Sequence, residues 1–255
     1  MNFQERKKKI IEAVYESGSL SVFELSDQLA MSPATVRRDL HDICEEGQLV
    51  RTHGGAMRPE NPMFTSFVEK SGSNNQKKDL IAKAAAELVA DGESIFLDCG
   101  STVYRMCPYL KKRNDLRIIT NSLPILAALI DVPGISINII GGELDKPRKA
   151  IHGEKAIQHI NSYHAKKAFI GVDGISAGNG LTAHTEKESA ITSAFIRNAD
   201  QVMLLCDSSK IGKDSYIKFA GLDEISCLVT DDETSSESKE SLKKHGLSKI
   251  ITAKK

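Results

Sequence analysis

Two sets of residues in this 255-residue chain have the types and spacing for chemistry. The first runs from Ser32 to Gly54. Thr35, Arg37, Arg38 and His41 share one side of a short helix that opens at Ser32, Pro33 and Ala34. A guanidinium fork matches the paired acceptors of guanine in the major groove, and further cations suit phosphates. Arg51, His53 and Gly54 follow in a glycine-turned segment. The second set consists of polar clusters that each follow an apolar run. These are Asp98-Cys99-Gly100-Ser101-Thr102, Thr120-Asn121-Ser122, Gly141-Gly142-Glu143, Asp173-Gly174 and Asp207-Ser208-Ser209-Lys210. Glycine beside hydroxyls at a helix start suits a phosphate, although Ser and Thr there also serve as ordinary caps. Lys210 offers a point charge to an anion, or is simply solvated. Asp98, Asp173 and Glu186 can accept hydrogen bonds from sugar hydroxyls.

The elements that must hold the first set are legible. Residues 3–17 have helical spacing and stop at Gly18. Ser21 and Glu24 make a capping box for a second helix with Val22, Leu25 and Leu29 inward. Ser32-Pro33 starts a third, with Val36, Leu40, Ile43 and Cys44 inward and Gly47 as its stop. Residues 49–53 and 56–58 pair as strands across Gly54-Gly55. This is a helix-turn-helix with a wing, whose third helix enters the major groove N-terminus first. Residues 58–75, with two prolines and a small-polar end, read as a linker.

From Gln76 onward apolar strands alternate with helices. Strands are expected at 94–98, 116–120, 135–140, 167–172, 201–206, 225–229 and 249–252. Helices are expected at 76–90, 100–110, 121–130, 153–160, 184–198 and 233–245. This alternation implies an α/β domain with a mainly parallel sheet. In such sheets ligands bind beyond the carboxyl ends of the strands, where the second set of residues falls.

Composition sets bounds. The chain is 40% hydrophobic and 27% charged, without tryptophan. It has no apolar run of 18 residues and no signal peptide, so a cytoplasmic protein is expected. Five scattered cysteines make neither a disulfide framework nor a zinc site; they read as reduced thiols. Cys99 has no base obviously placed to activate it. No metal or cofactor is expected. Residues 1–58 hold eight Lys and Arg against nine Asp and Glu. The cations nevertheless cluster at Arg6–Lys9, Arg37-Arg38, Arg51 and Arg58, and a phosphate-facing stripe needs local sign rather than a basic total. Weak binding per copy predicts a homodimer or homotetramer on DNA.

The motifs S-x-x-T-V-R-R-D-L and G-x-L-x-R-x-H-G-G-A, at Ser32–Leu40 and Gly47–Ala56, resemble the DNA-binding signature of the DeoR family of bacterial sugar-metabolism regulators. The ordered series D-x-G-S-T, I-T-N-S, I-G-G, F-I-G-V-D-G-I, G-L-T and D-S-S-K resembles that family's C-terminal sensor domain, similar in fold to ribose-5-phosphate isomerase. The resemblance implies a winged helix-turn-helix domain over 1–58, a linker over 59–75 and an effector-sensing domain over 76–255. It implies a repressor of a carbohydrate operon that binds double-stranded operator DNA and releases it on binding a phosphorylated sugar. The DNA-contacting residues would be Ser32, Ala34, Thr35, Arg37, Arg38, His41, Arg51, His53 and Gly54. The effector residues would be Asp98, Gly100, Ser101, Thr102, Asn121, Ser122, Asp173, Glu186 and Lys210, with Gly141 and Gly142 at the same edge. The alternative is an isomerase-like enzyme fused to a DNA-binding domain. Against it, the isomerases' later acids are replaced by Ile175-Ser176, and their lysine-bearing glycine loop by Ser176-Ala177-Gly178-Asn179-Gly180.

Overall fold

The computed structural model describes residues 3–45, 48–52, 54–57, 67, 70 and 74–254. Two compact units are present, the first within residues 1–73 and the second over 74–255 together with Phe67.

In the first unit, helices α1 (Phe3–Ser17), α2 (Val22–Leu29) and α3 (Pro33–Glu45) enclose Ile10, Val14, Leu25, Val36, Leu40 and Ile43. The capping box at α2 is complete: Ser21 Oγ accepts from the Glu24 N–H, and the Glu24 carboxylate accepts from the Ser21 N–H. At α3 the Ser32 hydroxyl accepts from the Thr35 N–H at 3.2 Å. Strand β2 (Val50–Arg51) pairs antiparallel with β3 (Gly55–Met57), which forms the wing. A third strand that the sequence does not advertise, β1 (Ser19–Ser21), pairs with β3 on its other side. Asp39 is buried in α3, where its carboxylate takes two hydrogen bonds from the Arg6 guanidinium, at 2.6 and 2.9 Å. His53, expected on the wing, and Gly47, expected to stop α3, lie outside the described residues.

In the second unit, seven parallel strands form one sheet among the described residues. The order is Ile250–Ala253, Cys227–Asp231, Ala199–Leu205, Ala165–Ile170, Ser94–Leu97, Leu116–Thr120 and Ile135–Ile139. Successive side chains alternate between faces. Ile95, Leu97 and Phe169 pack under helix α4 (Asn75–Glu87) with Ile81, Ala82 and Ala85. Phe96, Ala168 and Ile170 pack on the other face with Ile191, Ala194 and Phe195 of a helix over Glu186–Arg197.

One local expectation is corrected, and two small antiparallel sheets appear where the sequence assigns no element. The single helix expected after Gly100 is two four-residue helices, Ser101–Tyr104 and Cys107–Leu110, because Pro108 cannot continue the first. Residues 143–152 form a hairpin of Glu143–Asp145 with Ala150–His152. The segment after Asp173 is a small antiparallel sheet of Gly174–Ser176, Gly180–Ala183 and Ile217–Ala220. Phe67, within the expected linker, docks on the second unit. Its N–H donates to the Pro147 carbonyl at 3.0 Å, and its ring meets Tyr104 edge-on at 5.5 Å.

Candidate functional site: an exposed recognition helix and a charged strand-end cluster

On α3 the residues Ala34, Arg37, Arg38 and His41 follow an i, i+3, i+4, i+7 series, and all are exposed. Ser32 is exposed at the helix start and Thr35 is half-buried beside it, their hydroxyls 2.8 Å apart. Arg51 and Gly54 are exposed on the wing. The inward residues Val36, Asp39, Leu40 and Ile43 fix the helix from behind. The outward face carries the two guanidinium groups, on an element of the kind that a major groove admits.

At the sheet's carboxyl edge the sequence-expected residues separate into those that meet and those that do not. Asp98 is buried. One carboxylate oxygen accepts from the Cys99 N–H at 2.7 Å and the other from the Gly171 N–H at 3.2 Å. Burial pushes its carboxyl above the ordinary value against those two hydrogen bonds. Gly100, at φ −62° and ψ 141°, caps the Ser101–Tyr104 helix through its backbone alone. Ordinary side-chain capping therefore does not explain Ser101 and Thr102, which are both buried. A Cβ at Gly100 would meet nothing closer than 3.6 Å, so packing does not require glycine there.

Ser101 has a cation beside it, and it is not Lys210. The ammonium of Lys78, on α4, lies 3.2 Å from Ser101 Oγ, and Lys78 is only 3% exposed. Lys210 instead donates to the Val172 carbonyl at 2.6 Å. Lys78 was legible in principle. With Ile81, Ala82, Ala85 and Ala86 it completes the buried i, i+3, i+4, i+7, i+8 stripe of its helix, where a lysine is out of place unless it has work at its tip.

Around Asp98 lies a second group that sequence reasoning passed over. Arg148, in the turn of the 143–152 hairpin, pairs with Glu188 in the first turn of the Glu186–Arg197 helix, and both side chains are largely buried. Arg148 also lies within electrostatic reach of Cys99, Asp173 and Asp98. The hairpin turn is held by Asp145, whose carboxylate accepts from the Arg148 N–H at 3.0 Å. His152, at the hairpin's end, is buried, and neither ring nitrogen has a hydrogen-bond partner among the described residues. Burial pushes its pKa down, against Asp145, Glu188 and Asp98, while Arg148 pushes the same way as burial. Glu186, expected to face the ligand, is exposed at the first helical position; Glu188 turns inward in its place. Asp173 accepts from the His184 N–H at 3.1 Å.

The remaining expected residues chiefly anchor the hairpin. Asn121 donates to the Ile151 carbonyl at 3.0 Å and leaves its own side-chain oxygen buried without a partner among the described residues. Ser122 caps the Leu123–Leu129 helix and bridges to Ala150. The Gly141 N–H donates to His159 at 3.1 Å, and a Cβ at Gly142 would lie 2.7 Å from the His152 carbonyl oxygen. Among the described residues no cluster of His, Cys, Asp or Glu is placed to hold a metal, and no helix is long and apolar enough to cross a membrane. All five cysteines are free thiols, four of them buried.

Comparison with known proteins agrees with this division. Residues 6–61 match the DeoR-like helix-turn-helix domain, and residues 73–232 match the DeoR C terminal sensor domain. The HTH-type transcriptional repressor GlcR of Bacillus subtilis is 32% identical over 98% of this chain and 96% of its own length. The glycerol-3-phosphate regulon repressor of Escherichia coli K12 is 30% identical over 91% of this chain and 92% of its own. The lactose phosphotransferase system repressor of Lactococcus lactis is 32% identical over 93% and 94%. Among solved structures, ribose 5-phosphate isomerase A of Methanocaldococcus jannaschii aligns over 54% of this chain and 55% of its own, at 22% identity and a TM-score of 0.40. With an exposed cationic recognition helix in one unit, a polar strand-end cluster in the other and full-length repressor relatives, this chain belongs to the DeoR family of transcriptional regulators.

Proposed function

We propose that the protein represses a carbohydrate-utilisation operon in the cytoplasm, binding operator DNA as a homodimer or homotetramer, and that a phosphorylated sugar releases it. The phosphate sits at Lys78, Ser101 and Thr102, close against Gly100. The sugar hydroxyls lie toward Asp98, Asp173 and Arg148, with Lys210 and Asn121 at the margins. The observation that carries this reading is the buried Lys78 ammonium aimed at a buried hydroxyl. An ammonium and a hydroxyl side by side at a strand end offer an anionic group charge-assisted hydrogen bonds. The DNA contacts are Arg37, Arg38 and His41 in the major groove, Ser32, Ala34 and Thr35 at the helix start, and Arg51, His53 and Gly54 at the wing. An isomerase role has less support. Of the bases that the sequence offers, Asp173 accepts from a backbone N–H and Glu186 is exposed.

The test is a thermal-shift panel of sugar phosphates and the matching free sugars. A ligand that binds the folded state alone raises Tm. Phosphorylated members should raise it and free sugars should not. Stabilisation by free sugars alone would overturn the reading.

A further inference from the structure

The two outer strands of the seven-stranded sheet differ in how they meet solvent. Ile250–Ala253, at one edge, is flanked in sequence by the exposed lysines Lys249 and Lys254. Charges beside an edge strand, lysine above all, deter a second strand from pairing with it. Ile135–Ile139, at the other edge, has no such guard. From Val132 to Gly142 the chain holds no charged residue, and the strand itself holds no proline. Among the described residues no strand pairs with its outer edge. Its isoleucines lie on one face and are half-buried, while Ser136 and Asn138 lie on the other and are exposed. Two large apolar side chains near it in the chain are exposed as well. Ile130 ends the Leu123–Leu129 helix that packs on this strand, and Leu144 lies a few residues beyond the strand's end.

The backbone decides what can pair there. The Leu116 N–H donates to the Gly134 carbonyl, and the Ile140 N–H donates to the Thr120 carbonyl. Peptide groups alternate in direction along a strand. Those of Ser136 and Asn138 therefore face Leu116–Thr120, and those of Ile135, Ile137 and Ile139 face outward. The run I-S-I-N-I has the same apolar and polar pattern in both directions. A second copy placed antiparallel about a two-fold axis at Ile137 sets Ile137 against Ile137, Ile135 against Ile139 and Ser136 against Asn138. In that register the outward groups of both copies meet. The two Ile137 residues exchange both hydrogen bonds, and each Ile139 N–H reaches the Ile135 carbonyl of the other copy. An axis between two residues would instead set outward groups against inward ones and isoleucine against serine or asparagine.

We infer that the outer edge of Ile135–Ile139 is a homodimer interface, where a second copy of this chain adds its own Ile135–Ile139 antiparallel and the two sheets become one. The inference rests on the reading of the repressor as an oligomer and adds to it the surface that joins the copies. The two-fold axis turns the carboxyl ends of the strands to opposite edges of the joined sheet, so the strand-end clusters of the two copies lie apart.

The experiment is sedimentation velocity of the full-length protein at micromolar concentration. Ser136 and Asn138 are exposed, so Ser136→Lys/Asn138→Lys leaves the core untouched and sets lysine against lysine across the axis. Its mass should be half that of the wild type, with association weakened about tenfold or more, the scale of opposed like charges. Ser136→Glu/Asn138→Glu should behave alike, and an equal mixture of the two variants should regain the wild-type mass. Hydrogen exchange needs no variant: from dilute to concentrated wild type, the amides of Ile137 and Ile139 should slow by about tenfold or more as the edge becomes paired. Wild-type mass in the lysine variant overturns the inference and leaves the oligomer reading standing. So does a mixture that stays dissociated, and so does fast exchange of Ile137 and Ile139 where the wild type is oligomeric. A wild type that is monomeric at micromolar concentration and still binds operator tightly overturns both.

Discussion

The Lys78 ammonium lies 3.2 Å from the Ser101 hydroxyl, and the two side chains are 3% and 6% exposed. They come from different elements, the buried stripe of α4 and the turn after Ser94–Leu97, so the pair exists only once the sheet has formed. Lys78→Met keeps the length and apolar stem of the side chain and removes its charge. It should weaken binding of a responsive sugar phosphate by roughly 1.5–3 kcal/mol, the scale of a hydrogen bond to a charged group. Operator affinity without ligand should not change, and in cells the variant should repress without responding to sugar. Lys210→Ala should weaken binding less. Calorimetry on the two variants decides between the lysines.

Arg37 and Arg38 lie side by side on the exposed face of α3. Replacing either by Ala should weaken operator binding, by roughly 1–3 kcal/mol if the lost contact is bidentate to guanine. Arg51→Ala should weaken specific and non-specific DNA alike and reduce the salt slope by about one unit. Fluorescence anisotropy across a salt series separates these outcomes. A folded Arg37/Arg38 double variant with wild-type affinity would remove α3 from the groove.

His152 gives stability a pH dependence. Burial holds its folded pKa below that of the unfolded imidazole, about 6.5. The unfolded chain therefore binds this proton at a higher pH than the folded one does. The associated stability is fully present above the unfolded value and is lost as pH falls through the folded value. In scans from pH 8 to 5, Tm should fall less steeply on acidification in His152→Gln than in the wild type. Parallel curves would show that His152 stays charged or exposed.

Gly180 should not tolerate a side chain. Its φ is +67°, and an added Cβ would lie 2.4 Å from the Ala220 carbonyl oxygen on the neighbouring strand. Gly180→Ala should destabilise the second unit by at least about 1–3 kcal/mol, the scale of backbone strain alone. Denaturant unfolding measures it, and the first unit serves as an internal reference.

The sequence carried the large-scale order because its signals were local. Ser21 with Glu24, Ser32 with Pro33 and the apolar runs before Asp98, Asp173 and Asp207 each announce an element within a few residues. The hairpin over 143–152 and the sheet over 174–220 escaped because their strands are three or four residues long, too short for alternation to register. The site was legible in outline and not in detail for the same reason. Gly100, Ser101 and Asp98 sit where a strand end predicts polar residues. The partners Lys78, Arg148, Glu188 and His152 arrive from a helix stripe, a hairpin and a capping turn, and only tertiary contacts place them. Arg148 and His152 fall in a run to which the sequence assigns no element. Glu188 sits three residues after Thr185, whose hydroxyl accepts from the Glu188 N–H, so its spacing alone marks it as a capping residue.

The pairing order of the strands also sets a schedule for synthesis. In the first unit Leu20 meets Ala56 and Val50 meets Met57, so every strand contact is available once Met57 has emerged. In the second unit Ile95 must wait for Lys167, and Ala165–Ile170 in turn waits for Ala199–Leu205. At about 5–20 residues per second a ribosome takes roughly 7–30 s to pass from Met57 to Leu205. During that interval the recognition helix can be folded and competent while the sheet that is to govern it has no centre. Ser94–Leu97, apolar and paired by then only with Leu116–Thr120, keeps its other edge open to aggregation until Ala165–Ile170 emerges.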